Sequence, residues 1–577
     1  MGQPNNLPCP AIKRWEEFSI SLVTSTKDYM NHCFNLGTES LCQGAKAEDL
    51  AARIDANVEN AHAAISRQLT ESRAALLRTR NKLVSPFSRF PKEVASEIFL
   101  NVVYDYSNEK APEPLSADEE VKLIYHHLCK LLGVCSAWRE LMVSTGLLWL
   151  VIPLVETSSG KQLPFELALE RAGRTKQHLA GIINTRSPAL RDTLLEVLEK
   201  HGDRFYHINL SAVEVQVIEQ ATRRLLQHDV PLSLSKLSIR TNDHAVHRMA
   251  VDSDHITYLF HPDSLDTAAF AKLVGTLSAL CICGTYIHWN TITFSSQLVD
   301  LCISNIALGD DSALHQLLYA LNSAAGLRDL KIISLYTSRD PETTFDPKRF
   351  PMVTLPNLQS LHLQGLYVNT LEVVLSKIAP GSHRLTLYLG SKSLRTNLRG
   401  IQQQNDPNLV DISPLRAILK PIHVDTLMLS THWEGAWLSG SMFRTLFRAM
   451  PTLKTLKMDG WIFDKHDSWS LKHLARSKDA PEDPEDSLPP ALENLHFSNA
   501  VIYDLETFRE LVSSHPLQRV VLGGRRAMAF LNVNIQFQPL QENSEPIQWL
   551  RGKIPDVRLV SFRHRLLEFY EGQWRLW

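Results

Sequence analysis

The fold class expected of this chain is α/β: a short helical module followed by an irregular strand-and-helix solenoid, with a helix at the N-terminus. Three observations carry the expectation. One apolar spacing recurs between residues 205 and 522. Segments of helical periodicity fill the intervals between its copies. A stretch from Lys46 to Leu83 has neither Pro nor Gly and places Leu69, Leu76 and Leu83 seven residues apart.

The recurring unit is apolar-x-x-apolar-x-apolar. Its last two apolar residues share one face of a short strand, and the first packs inward from the preceding turn. The copies are Phe205-Ile208-Leu210, Leu234-Leu237-Ile239, Leu277-Leu280-Ile282, Leu298-Leu301-Ile303 and Leu327-Leu330-Ile332. They continue with Leu358-Leu361-Leu363, Val424-Leu427-Leu429, Leu453-Leu456-Met458, Leu492-Leu495-Phe497 and Leu517-Val520-Leu522, with a looser copy at Leu385-Leu387-Leu389. The intervals between starting positions are uneven and include 21, 29 and 31 residues. A further apolar residue follows several copies three places on: Ile306, Leu335, Leu366 and Trp461. Between copies, Ala313 to Ala325 aligns Leu314, Leu317, Leu318 and Leu321 on one helical face; Thr370–Ile378 and Ser441–Met450 behave similarly. Each unit is thus strand plus helix, and stacking buries what one unit cannot.

This pattern resembles the leucine-rich repeat, whose period is about 20–29 residues, slightly stretched here. Uneven periods and a mostly absent Asn at the inner turn imply an irregular horseshoe. The array is assigned to residues 156–524 and a C-terminal cap over its open edge to 525–577, where Trp549, Phe562, Leu566, Phe569, Tyr570, Trp574 and Trp577 make the chain aromatic.

Upstream, residues 1–45 show no strong period. Trp15–Phe34 suits a helix that Gly37 and Gly44 interrupt. Residues 46–84 form a long helix. A dimerising coiled coil and a helix packed on its own chain both fit, since Ser72 and Thr79 break the heptad seam. Ser85-Pro86 ends it.

Residues 85–155 hold a split motif: Phe90-Pro91-Lys92-Glu93-Val94-Ala95-Ser96-Glu97-Ile98-Phe99, then Val134-Cys135-Ser136-Ala137-Trp138-Arg139, then Gly146-Leu147-Leu148-Trp149. Pro91 suits a first helical turn. Val94, Ile98 and Phe99 fall near one helical face, as do Val134, Trp138 and Leu141 on a second helix. This is more apolar surface than three small helices bury alone, which points to docking. The residues resemble the F-box, with wording similar to that of the large mushroom-type fungal set. Phe90 stands for the usual Leu and Gly146 for the usual Pro. The resemblance implies docking to a Skp-type adaptor within a cullin complex, through Phe90, Pro91, Val94, Ile98, Phe99, Val134 and Trp138. An insertion from Asp105 to Glu120, with Pro112 and Pro114, is expected to be a solvated loop.

Composition bounds the rest. A chain of 577 residues exceeds one ordinary core. A formal net charge of −2 argues against a nucleic-acid binder driven by bulk electrostatics. The eight cysteines are too few for a disulfide scaffold, which suits a reducing compartment. With neither a signal-peptide pattern nor a membrane-length apolar run, a cytoplasmic or nuclear location and no membrane partner are expected.

No catalytic constellation stands out. There is no Gly-x-Ser-x-Gly elbow, and Ser159-Gly160-Lys161 lacks the upstream glycine of a P-loop. His126, His127, Cys129 and Cys135 lack a second Cys pair at zinc spacing. Cys281, Cys283 and Cys302 fall on adjacent strands with no evident fourth ligand; small side chains on a sheet explain them as well. Gly523-Gly524-Arg525-Arg526 suits a turn after Leu522. The acidic stretch 479–486 suits a flexible loop. The chain is therefore expected to be no enzyme, with no metal and no cofactor.

The F-box resemblance, with the repeat array, implies a substrate-recognition subunit of an SCF-type ubiquitin ligase whose array binds an unknown target protein. The alternative is a non-ligase interaction scaffold that retains an F-box. Outward strand positions of the array are mostly basic or polar, so Lys331, Lys454 and Lys457 are assigned to target binding on the concave side.

Overall fold

The computed structural model describes residues 9–84, 86–105, 115–156, 163–173, 175–183, 188–227, 233–241, 257–340, 351–399, 411–431, 437–463, 471–476, 489–529, 535–562 and 567–570. The acidic stretch 479–486, Ser159-Gly160-Lys161, most of the 105–120 insertion and Trp574 and Trp577 lie outside them. The chain divides into two compact units, Met1–Ala95 and Ser96–Trp577.

The first unit is helical. Helix α1 spans Pro10–Cys42, α2 Ala47–Asn57 and α3 Ala63–Val84, the last two joined by a π-turn at Val58–His62. Gly37 does not break α1, although a mid-helix glycine costs about 1 kcal/mol relative to Ala; the chain turns at Gly44, whose φ is +82°. The Tyr29 hydroxyl donates to Asn57 Oδ1 at 3.1 Å, tying α1 to α2. None of the three helices buries a residue.

Helix α4, Lys92–Val103, crosses the boundary between the units. Helices α5 (Ala117–Leu132) and α6 (Ser136–Ser144) follow. The Ser116 N–H donates to the Glu119 carboxylate at 2.8 Å, a reciprocal cap that opens α5.

A single sheet then runs through the rest of the second unit. Its strands are β1 (Val151–Val155), β2 (Gln177–Ile183), β3 (Phe205–Ala212), β4 (Lys236–Thr241), β5 (Ala279–Cys283) and β6 (Asp300–Asp310). Next come β7 (Asp329–Ser338), β8 (Ser360–Gln364), β9 (Arg384–Leu389), β10 (Thr426–Ser430) and β11 (Thr455–Asp459). The last are β12 (Ile462–Phe463), β13 (Asn494–Ile502), β14 (Arg519–Ala529), β15 (Ile535–Pro539) and β16 (Asp556–Leu559). The main path follows chain order from β1 to β15 without β12, which pairs with β13, while β16 pairs with β14; all pairings are parallel except β14 with β15. A parallel sheet stacked in chain order, with helices in the crossovers, is a repeat solenoid.

Every copy of the repeating spacing coincides with a strand, and all its apolar residues are buried. Leu314, Leu317, Leu318 and Leu321 are buried along the helix Asp311–Ala320 and the turn after it, and Asp310 caps that helix through the Ser312 and Ala313 N–H groups. At six of the strands the inward turn has a backbone cause. Gly284, Asn305, Ser334, Gly365, Gly460 and Asn499 all have positive φ, each two places past the last apolar residue of its copy. Gly tolerates this conformation freely and Asn better than most residues. The kink carries Ile306, Leu335, Leu366 and Trp461 into the core.

Two strands, β1 and β2, precede the first recognised copy. In β2 the inward position is Gly181, where an added Cβ would lie 3.0 Å from Leu194 and 3.1 Å from Leu210. Neighbouring leucines fill the place of its side chain, so the apolar spacing is lost although the strand is buried throughout. At Gly523-Gly524 the expected turn is a strand: β14 runs on through both residues. A Cβ on Gly524 would approach the Ala500 carbonyl oxygen to 2.6 Å, so the glycine permits close strand approach. Strands β15 and β16 both pair with β14, covering its outer edge.

Candidate functional site

Two surfaces carry apolar side chains at positions turned away from a local core. The first is on α4. Ala95, Phe99 and Val103 recur every fourth residue and are buried. Val94, Ile98 and Val102 recur with the same step one place earlier and are 44%, 36% and 43% exposed. Positions four apart share a helical face, so α4 carries one buried apolar stripe and one open one. Phe90 and Val134 are also exposed, at 47% and 56%. Pro91 is exposed just before α4, and its carbonyl accepts the Ala95 N–H at 3.1 Å.

Phe99 lies inside the module rather than on its surface, and Trp138 packs against it. Phe99 is fully buried, and its ring packs against that of Trp138 at 4.9 Å. Trp138 is half-buried. Both serve the module's own core. Around them, the Tyr125 hydroxyl donates to the Val151 carbonyl at 2.8 Å and Trp149 Nε1 to the Met142 carbonyl at 2.9 Å. Gly146 also has a structural reason: a Cβ there would lie 3.2 and 3.3 Å from the carbonyl oxygens of Arg171 and Ala172.

The second surface is the open strand face, opposite the inward leucines. Cross-strand register arranges its residues in rungs. One rung runs Asn209, Ser238, Cys281, Cys302, Lys331, His362, Thr386. The next includes Gln364, Tyr388, Met428, Lys457 and His496.

At the early end of this face His178 and His207 stand in register, one rung before Asn209. His178 Nε2 lies 3.1 Å from Asn209 Oδ1. Burial, then the neighbouring His207, lowers the His178 pKa to about 3. Burial with Lys236 and Lys176 lowers that of His207 to about 4. Cys281 and Cys302 stand in register; their hydrogen bond, then burial, pushes the Cys281 thiol well up, away from thiolate. Among the described residues no group of three or more His, Cys, Asp or Glu is placed to hold a metal ion. Asn209, the first residue of a formal glycosylation sequon, is fully buried.

The late part is different. Tyr388 and Met428 face outward and yet are buried, in one cluster with Phe569 from near the C-terminus. The Phe569 ring meets Tyr388 edge-on, with centroids 5.4 Å apart. The adjacent Glu568 carboxylate accepts from Lys457 Nζ at 2.8 Å. Burial acts to raise the Glu568 pKa, but the charge and hydrogen bond of Lys457 hold it below its ordinary value. Burial, then Lys457 and Arg519, lowers the His496 pKa to about 4, so the ring is neutral at pH 7.

Of the three lysines assigned to target binding, Lys331 is exposed on the open face. Lys454 is exposed and pairs with Glu493 at 3.4 Å. Lys457 has a side chain only 15% exposed and is engaged by Glu568. Sequence reasoning missed Tyr388 and Met428. Their signal is an apolar residue between two inward ones, Leu387-Tyr388-Leu389 and Leu427-Met428-Leu429, where most copies are polar.

Fold and surfaces together define a strand-and-helix repeat solenoid joined to a small helical module. No protein-family model and no curated protein matches the chain. Among solved structures it is similar to one titled as the TLR13–ssRNA13 complex, at 14% identity and a TM-score of 0.30. The match covers 64% of this chain and 47% of that one, so it spans about half of the solved chain. No helix among the described residues is long and apolar enough to cross a membrane.

Proposed function

We propose that this chain is the substrate-recognition subunit of an SCF-type ubiquitin ligase. The F-box-like module docks a Skp-type adaptor, and the solenoid captures a target protein. The chain performs no bond chemistry; it holds a target lysine near a ubiquitin-charged enzyme and so raises its effective concentration. The observation that carries the reading is the open stripe of α4. Val94 and Ile98 lie within the F-box-like motif and are exposed, while Phe99 beside them fills the core. A helix that buries one apolar stripe and leaves a second uncovered is suited to receive a partner. The open strand face, with Lys331 exposed on it, is the reading's target side, and Lys454 is exposed just before β11.

Co-purification from cells tests this. Wild-type chain should recover both a Skp-type adaptor and a cullin; a Pro91→Ala/Ile98→Ala variant should recover neither. Equal recovery by both chains, or by neither, sinks the proposal. Adaptor without cullin would favour the non-ligase scaffold.

A further inference from the structure

The open strand face already holds a peptide segment: the chain's own. Leu567–Phe569 forms a single 3-10 turn. A turn of this length cannot hold itself in water, so its place depends on what it touches. It touches a site with two complementary parts. Tyr388 and Met428 make an apolar seat for the Phe569 ring, which is fully buried there. Lys457 provides the cation for Glu568, the residue directly before it.

Each part fits poorly with an empty site. Without Phe569, outward-facing Tyr388 and Met428 would expose apolar surface in the middle of the sheet. Lys457 lies in the middle strand of β10, β11 and β13, beside Met428 and His496. Methionine adapts its shape to different aromatic guests.

We propose that Tyr388, Met428 and Lys457 form a binding site for a target peptide in which an acidic residue directly precedes an aromatic one. Glu568-Phe569 is its resident occupant, and a target must displace it. The inference rests on reading the array as the target-capturing part, and is independent of adaptor docking. An occupant on the same chain has an effective concentration that can reach the millimolar range. A free peptide of similar intrinsic affinity is therefore excluded until the tail is released.

The test uses the full chain and a labelled peptide with the sequence of residues 563–570. Wild-type chain is compared with a released variant, Glu568→Lys/Phe569→Ala, by fluorescence anisotropy. The released variant should bind at least tenfold more tightly than wild type. Adding Tyr388→Ala should abolish that binding, and a peptide with Lys and Ala at the two key positions should not bind. Circular dichroism and melting, run in parallel, establish that each variant is folded. Equal binding by wild type and released chain, a folded released chain that does not bind, or indifference to Tyr388→Ala would each overturn the site. Adaptor co-elution on the same samples separates the claims. Adaptor binding without peptide binding sinks this inference alone; peptide binding without adaptor binding sinks the ligase reading alone.

Discussion

The open stripe of α4 and the Tyr388–Met428 seat present the same anomaly with opposite outcomes. Each puts apolar side chains where the local element points away from its core. On the sheet, the chain returns from near its C-terminus and buries them under Phe569. On α4, Val94, Ile98 and Val102 stay between 36% and 44% exposed. The difference teaches that surplus apolar surface is not itself a docking site; what matters is whether the chain supplies its own cover.

The largest expected effect lies inside α4 and sets the scale. Phe99→Ala empties a fully buried position against Trp138 and should cost about 3–5 kcal/mol of stability. Ile98→Ala, one residue away on the open stripe, should change stability by about 0.5 kcal/mol or less. Urea unfolding of the two variants checks this. Similar losses would mean that the open stripe is core, and the comparison would collapse.

A second expectation concerns acid. His178 keeps its proton off in the folded state down to about pH 3, whereas an unfolded histidine titrates near 6.5. Between those values the unfolded chain binds the extra proton. Stability from this residue is therefore constant above about pH 6.5 and falls as pH drops toward 3, by about 1.4 kcal/mol per unit. His178→Gln should flatten the dependence between pH 7 and pH 5 by that amount. An unchanged slope would show that His178 is not buried as described.

The smallest effect is at the exposed pair Lys454–Glu493. A double-mutant cycle should return about 0.2–1 kcal/mol, falling in high salt. A coupling of several kcal/mol would show that Lys454 is buried in solution and unavailable to a target.

Much of this was legible because repeats announce themselves. The inward leucines keep one spacing, and each copy landed on a strand. What escaped has physical reasons. Strand β2 was silent because Gly181 stands where a leucine belongs and Leu194 and Leu210 fill its space. The inward turn was legible in Ile306, Leu335, Leu366 and Trp461, but its backbone cause was not, because Gly, Asn and Ser all occupy the kink and its signal is a conformation rather than a residue type. The motif's apolar residues could be found from helical spacing, but their division could not. Phe99 and Ile98 are equally apolar neighbours, and only the packing of Trp138 decides which is core. The tail's return had no local signal: Lys457 and Glu568 are 111 residues apart.

The most direct test is a calorimetric titration of purified Skp-type adaptor into the full chain, wild type against Val94→Glu/Ile98→Glu. Both substitutions are at exposed positions, so the variant should melt with the wild type. Saturable binding to the wild type and at least a hundredfold loss in the variant are expected. Equal affinity for the two chains, or no heat of binding to a folded wild type, would contradict it.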